Sequence, residues 1–195
     1  MDDSTQDKYQ TYVDDIKGMI GISDGDFDTL RQHKGFILDH AEVLIGFIMN
    51  TINEHPPARK VFDEKRGDQG CLGASVGKWL GEVLDAGDTD AFWRRHYQIG
   101  LEHIKRQIPN RHMISLATRI RELLLPVMLE KLGTEDGLTL YLAFQRFLDT
   151  VVALTITLVD EGQRRCIQES TGFSVDLLNR LQAGVFHTIE EELKR

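Results

Sequence analysis

Two histidines lie on one face of a predicted helix near the middle of the chain, and their side chains are the best suited to chemistry. Phe92, His96, Ile99 and His103 are separated by four, three and four positions, a spacing that aligns side chains on one side of an α-helix. A neutral imidazole on an apolar helical face can offer a ring nitrogen to a metal or to haem iron. The alternative for either histidine is a hydrogen-bonded core residue, so the surrounding pattern has to decide.

The segment Ile99–Met113 favours His103. It reads Ile-Gly-x-x-His, with the histidine at 103, then a proline six residues later and Arg-x-Met after it. This segment resembles the proximal helix and the following turn of globin-coupled sensors, whose pattern is Arg-x-x-Ile-Gly-x-x-His-x-x-Ile-Gly-Leu-Pro. The resemblance implies a globin fold in which His103 binds the iron of haem b, iron protoporphyrin IX.

His96 is the rival ligand, because it also precedes an Ile-Gly-Leu sequence. It lies seven residues before His103, about 10.5 Å along a helix axis, so one iron cannot be reached by both from a straight helix. The Ile-Gly-x-x-His spacing and the distance to Pro109 favour His103.

The resemblance extends over roughly residues 25–160 and has clear departures. Trp79-Leu80 and Phe92 match the end of the family's distal helix and the start of its proximal one, and the helix from His40 to Asn53 matches its second helix. His96 replaces the leading arginine, residues 106–108 replace Ile-Gly-Leu, and His112 stands where an aromatic usually follows.

The distal side of the predicted pocket lacks a tyrosine. Sensor globins that bind oxygen often carry one on the second helix, whereas counting back from Pro56 places Met49 there. Met49 could ligate the iron through its thioether, and Ser75 or Lys78 could donate a hydrogen bond. Each has a plainer alternative, as a packed methionine or as a residue of the solvated helix surface. The missing phenol argues against tight oxygen binding.

The resemblance also implies a set of pocket walls. Porphyrin is held largely by burial of its apolar faces, with one coordinate bond added, so its contacts should be apolar. The predicted haem-contacting residues are Phe47, Met49, Phe62, Leu72, Val76, Ile99, Ile108 and Met113.

The elements that position these residues are all predicted to be helices, because the apolar spacing is helical almost everywhere. The second predicted helix starts at Asp26 or Asp28 and runs toward Lys34. The others cover residues 8–20, 36–53, 70–85, 89–107, 110–131 and 135–168, with a final amphipathic segment to Arg195. Pro56 and Pro57 either end the third helix or begin the next turn. We therefore predict an all-α globin fold with an extra N-terminal helix over residues 1–168, and a C-terminal linker or dimerisation helix over 169–195.

Composition narrows the partners and the location. The 195 residues carry a formal charge of −8, with 31 acidic and 23 basic side chains, and phosphate binding would need a clustered basic surface. Nucleic acid is therefore not expected.

Cys71 and Cys166 are too few and too distant for a disulfide framework. The polar N-terminus is no secretory signal, and residues 151–159 are too short an apolar run to span a bilayer. A cytoplasmic protein without a membrane partner is expected.

The resemblance implies a sensor of a diatomic gas (oxygen, nitric oxide or carbon monoxide). In the family, the two long helices pair across a homodimer, and an output module or a separate partner receives the signal. A haemless globin-fold interaction module is the alternative. A nitric oxide dioxygenase would need a reductase partner, and no flavin, nicotinamide, P-loop, serine-elbow or His-Glu-x-x-His motif occurs, so no enzyme and no catalytic residue is predicted.

Overall fold

The computed structural model describes residues 3–66 and 70–194, without the side chains of residues 3–8, 62–66, 70–73 and 86. Every regular element in these ranges is an α-helix, as the spacing of apolar residues predicts. The helices are α1 (Asp3–Ile20), α2 (Asp24–Gln32), α3 (Lys34–Asp39), α4 (Ala41–Glu54), α5 (Pro56–Arg66), α6 (Gly70–Ala86), α7 (Asp90–Lys105), α8 (Asn110–Leu132), α9 (Thr134–Thr171) and α10 (Val175–Leu193).

The segment predicted as one helix from residue 36 to residue 53 is divided into α3 and α4. The break is at His40, whose φ of −101° and ψ of 3° leave the helical range. Its ring Nδ1 lies 2.8 Å from the Phe36 carbonyl, and the two rings pack with centroids 4.4 Å apart. The apolar stripe from Phe36 to Ile52 runs through this break at helical spacing, so apolar periodicity does not indicate it.

Helix α5 starts with two consecutive prolines, and His55 alone separates it from α4. Helix α4 ends at Glu54, and α5 begins at Pro56, where proline's missing N–H costs nothing because the first helical amides have no intrahelical partner. Helix α4 packs against α5, α6 and α8. It is therefore the element around which the first half of the molecule is arranged.

Aromatic side chains from three helices form the centre of the core. Phe27 of α2 packs edge-to-face against Phe92 and Trp93 of α7, with ring centroids 6.0 and 6.3 Å apart. Phe147 of α9 lies 5.9 Å from Phe92. Edge-to-face pairs of this kind add roughly 0.5–1.5 kcal/mol each beyond the area they bury.

Helix α1 is attached to α7 at two points. The buried Tyr9 hydroxyl donates to the Trp93 carbonyl, and burial raises the pKa of Tyr9 well above its usual value. One turn after Val13, Lys17 pairs with Asp88, whose other carboxylate oxygen accepts the Trp93 indole N–H at 2.5 Å. The N-terminal helix therefore contacts α7 through directional bonds as well as apolar packing.

The chain divides into two compact units, Met1–Leu158 and Val159–Arg195. The boundary predicted at residue 168 lies inside the second unit, which contains the end of α9 and the whole of α10. Helix α10 starts after Ser174, whose hydroxyl accepts from the Leu177 amide at 3.2 Å, and it exposes apolar side chains such as Val185 and Phe186.

Helix α9 is the one helix of the described ranges that is long and apolar enough to cross a membrane. More than half of its most apolar stretch is buried inside the protein, and its buried residues include Leu140, Phe144, Phe147 and Leu154. This is the burial expected of the core helix of a soluble protein.

The α8–α9 connection depends on a close backbone approach at Gly137. A Cβ placed on this residue would lie 2.6 Å from the carbonyl oxygen of Met128 and 3.0 Å from the Cα of Leu129. Both are backbone atoms, so they cannot rotate away as a side chain could.

We expect Gly137→Ala to lower the free energy of unfolding by about 2 kcal/mol, because the added methyl overpacks the helix crossing. The matched control is Gly46→Ala in α4, where a Cβ meets nothing within 4 Å; there the better helix propensity of alanine should add up to about 1 kcal/mol. Urea unfolding of both variants measures the difference. Equal stabilities would contradict the close approach.

Candidate functional site

His96 is sealed in the core and both its ring nitrogens are used. The residue is 2% exposed. Its Nδ1 lies 3.0 Å from the Phe92 carbonyl, which only accepts, so Nδ1 carries the proton. Its Nε2 accepts the indole N–H of Trp79 at 3.0 Å. This bond joins α7 to α6 and occupies the nitrogen that an iron would need.

His103 lies two turns further along α7 in different surroundings. It is half-buried, and its Nδ1 lies 2.8 Å from the Ile99 carbonyl. The carbonyl can only accept, so Nδ1 is the protonated nitrogen and Nε2 carries the lone pair. An Nδ1–H bond to a backbone carbonyl is the outer-shell arrangement that orients a metal-ligating imidazole.

Gly100 allows α7 to lie close to α9, one turn before His103. A Cβ on Gly100 would be 2.9 Å from Cδ1 and 3.5 Å from Cβ of Leu158. The glycine of the Ile-Gly-x-x-His pattern is thus explained by helix packing and not by a turn. It sets how closely this part of α7 packs against α9.

A cavity of about 640 Å³ lies beside His103, between the ends of α4 and α7 and the starts of α5 and α8. This volume is within the usual range of small-molecule and cofactor pockets, about 300–1,000 Å³. Its lining is mostly apolar, with the polar groups concentrated on α8 and at the α4–α5 junction. The lining residues are Thr51, Ile52, His55, Pro57, Ala58, His103, Ile108, Arg111, His112, Met113, Ser115, Leu116 and Arg119.

Three of the residues predicted for the site line this cavity together, namely His103, Ile108 and Met113. Phe47 is not among the lining residues, but the guanidinium of the lining residue Arg119 sits 5.5 Å from the centre of its ring.

The other predicted walls are placed elsewhere or are not described. Val76 packs against the hydrophobic core, while Met49 and Ile99 are partly buried and are not among the lining residues. Phe62 and Leu72 lie outside the described side chains, so their contacts stay predictions.

The two predicted distal hydrogen-bond donors are not among the residues that line the described cavity. Ser75 and Lys78 are both exposed on α6, and Lys78 lies 3.7 Å from Glu82 of the next turn. Met49 remains partly buried on α4. Of the residues proposed for the distal side, only the methionine keeps a position away from solvent.

Sequence reasoning missed the polar part of the lining. Arg111, Ser115 and Arg119 are spaced by four on α8, which places them along one helix face. This spacing was a usable signal. His55 had no such signal, because its position depends on how the α4–α5 turn is folded.

The burial of His96 predicts a loss of stability in mild acid. Burial lowers the pKa of His96 from 6.5 to about 4, so between these values the unfolded chain binds a proton that the folded chain does not. Stability should therefore fall as pH falls, by about 2 kcal/mol between pH 7 and pH 5 for this group.

Urea unfolding at the two pH values, compared with His96→Gln, isolates that contribution. An NMR titration of the His96 ring checks the same point in the wild-type chain. Titration of that ring near pH 6.5 would contradict the sealed position.

Comparison with known proteins places this geometry in a family. The chain is similar to the globin domain of the Geobacter sulfurreducens globin-coupled sensor, with a TM-score of 0.66, 14% identity, and coverage of 74% of this chain and 95% of that one. No curated protein matches the chain. The all-α globin fold predicted from the sequence is confirmed by this likeness. The Protoglobin family model matches residues 10–161, and the chain therefore belongs to the protoglobin family.

Proposed function

We propose that this chain is a haem-binding sensor of a diatomic gas and that His103 is the protein ligand of the iron. The observation that carries the proposal is the position of His103: it lines a cavity of about 640 Å³ while the Ile99 carbonyl holds its Nδ1–H. Membership of the protoglobin family supports the same assignment.

The donor set of the cavity fits an iron porphyrin better than a bare metal ion. In the part of the chain that the structure describes, no three His, Cys, Asp or Glu side chains converge where a metal ion could sit. A bare ion usually needs three or four protein ligands, whereas a porphyrin supplies four of its own and asks the protein for one. His103 supplies one imidazole, and Ile52, Ile108 and Leu116 supply apolar surface.

When bound, haem supplies an iron centre that takes oxygen, nitric oxide or carbon monoxide. The residues of the chain perform the rest. The Ile99 carbonyl holds His103 in one tautomer and one orientation, which makes Nε2 a better electron donor. The apolar lining limits the access of water.

Sensing requires that gas binding favour one of two arrangements of the protein. Helix α7 is the element through which such a preference would spread, since it carries His103 and is bonded to α1 at Trp93 and to α6 at His96. A displacement of His103 along with α7 would therefore also strain or move α1 and α6.

The remaining parts of the proposal follow the family. We propose a cytoplasmic homodimer that uses α8 and α9, a C-terminal output domain or separate signalling partner, and no enzymatic activity of its own. The alternative is a haemless interaction module, favoured by one observation: Ser75 and Lys78, the proposed distal donors, are exposed.

His103→Ala should abolish the Soret band of the haem-reconstituted chain or shift it to that of a protein lacking an imidazole ligand. The matched control is His187→Ala, which removes an exposed histidine of α10 and should leave the spectrum unchanged. Added imidazole should restore the wild-type spectrum in His103→Gly, which separates loss of the ligand from loss of the fold. A wild-type spectrum in His103→Ala, or a folded wild-type chain that takes up no haem, would contradict the proposal.

A further inference from the structure

The cavity beside His103 has basic side chains at one end and no described acidic residue in its lining. Two guanidinium groups and three imidazoles line it, and none of its described lining residues is an aspartate or a glutamate. This local sign is opposite to that of the whole chain, whose formal charge is −8. A cluster of one sign inside a partly apolar cavity focuses the electrostatic field there.

Arg111 and Arg119 line the same cavity but differ in how their charge is balanced. Arg119 pairs with Glu122 at 2.5 Å and lies over the ring of Phe47. Arg111 lines the cavity while staying exposed, and it makes no ion pair with any residue of the described ranges.

His112, next to Arg111, has an unsatisfied ring nitrogen. Its Nδ1 is buried and has no hydrogen-bond partner within the described part of the chain. A buried polar atom left in this way costs roughly 1–3 kcal/mol, so its retention calls for an explanation such as a ligand. Burial lowers the pKa of His112, and the nearby charges of Arg111 and His55 lower it further.

His55 completes the cluster from the α4–α5 junction. Its ring is edge-on to that of His112, with centroids 5.7 Å apart. Its Nδ1 accepts the Ala58 amide at 3.2 Å, so in the neutral ring the proton is on Nε2, which is then a donor. Since the Nδ1 lone pair of His55 is already used by the Ala58 amide, Arg111 and His55 can offer only N–H donors to a ligand in the cavity.

We propose that Arg111, His112 and His55 form a carboxylate-binding end of this cavity, which takes the acidic side chains of a bound porphyrin. The assignment rests on the proposed haem function. A carboxylate only accepts hydrogen bonds, and a guanidinium presents paired N–H groups that match its two oxygens. Such a ligand would satisfy His112 Nδ1 as a protonated donor and balance the charge of Arg111. It also sets which edge of the porphyrin points toward α8.

The test compares porphyrins with free and with esterified carboxyl groups. Haem b and its dimethyl ester, and iron-free protoporphyrin IX and its dimethyl ester, are titrated into the whole chain and followed by absorbance or fluorescence. Arg111→Gln should weaken binding of both free acids by about tenfold, the loss expected for one charge-assisted hydrogen bond, and should leave binding of the esters within about twofold. Arg180→Gln is the matched control and should change neither by more than about twofold, because Arg180 is exposed on α10 and does not line the cavity.

A second variant tests the same site through the stability of the chain without any ligand. His112→Phe removes the buried unsatisfied nitrogen while keeping a planar ring, so the unloaded chain should unfold at a higher urea concentration. Its affinity for the free-acid porphyrins should fall. A variant that is less stable than wild type, and binds haem b as tightly, would overturn the role of His112.

The outcomes separate this inference from the haem function. Equal affinities for acid and ester, or an effect of Arg180→Gln as large as that of Arg111→Gln, overturns the carboxylate site alone. Acid-dependent binding of iron-free porphyrin, with a haem spectrum that is indifferent to His103→Ala, supports the carboxylate site and overturns iron ligation by His103. A folded chain that binds no porphyrin overturns both.

Discussion

The burial of one face of α7 is the constraint on which the candidate site depends. Phe92, Trp93, His96 and Gly100 are all buried, while His103 at the next turn is only half-buried beside the cavity. Because a helix is stiff over this length, fixing its first three turns also fixes where His103 lies. The indole bond from Trp79 to His96 and the approach of Gly100 to Leu158 set that position with little freedom.

The same constraint explains why two similar histidines have different chemistry. Both donate Nδ1–H to the carbonyl four residues earlier, so both present Nε2 outward from the helix. At His96 the neighbouring side chain is Trp79, and Nε2 accepts a hydrogen bond from its indole inside the core. At His103 the adjacent feature is a cavity, which leaves room for a cofactor. Local helix geometry supplies the imidazole, and tertiary packing decides its use.

The sequence was sufficient for the helical class, for the family and for the shared face of His96 and His103, because these follow from local spacing. It was insufficient for the walls of the cavity. The apolar stripe of α4 correctly predicts a buried face, but it cannot say which turn meets the cavity, and Thr51 and Ile52 do so instead of Met49. The break at His40 was missed for a related reason, since the apolar stripe continues through it at helical spacing.

The charge of the whole chain and the charge around the cavity also differ, and only the first can be read from the composition. The acidic composition predicts a protein that avoids nucleic acid, yet the cavity is lined by hydrogen-bond donors and no described carboxylate, because α8 and the α4–α5 junction bring Arg111, His112 and His55 together. A net charge averages over the surface, whereas a ligand responds to the few groups around it. The two statements are compatible because the acidic residues lie outside the cavity lining.

The central claim is that one imidazole of α7 binds iron, and a crystal structure of the haem-loaded chain with anomalous data at the iron absorption edge tests it most directly. The account predicts a single iron peak, bonded to His103 Nε2, with Trp79 still hydrogen-bonded to His96. Iron bonded to His96, His112 or His55 in place of His103 would contradict it.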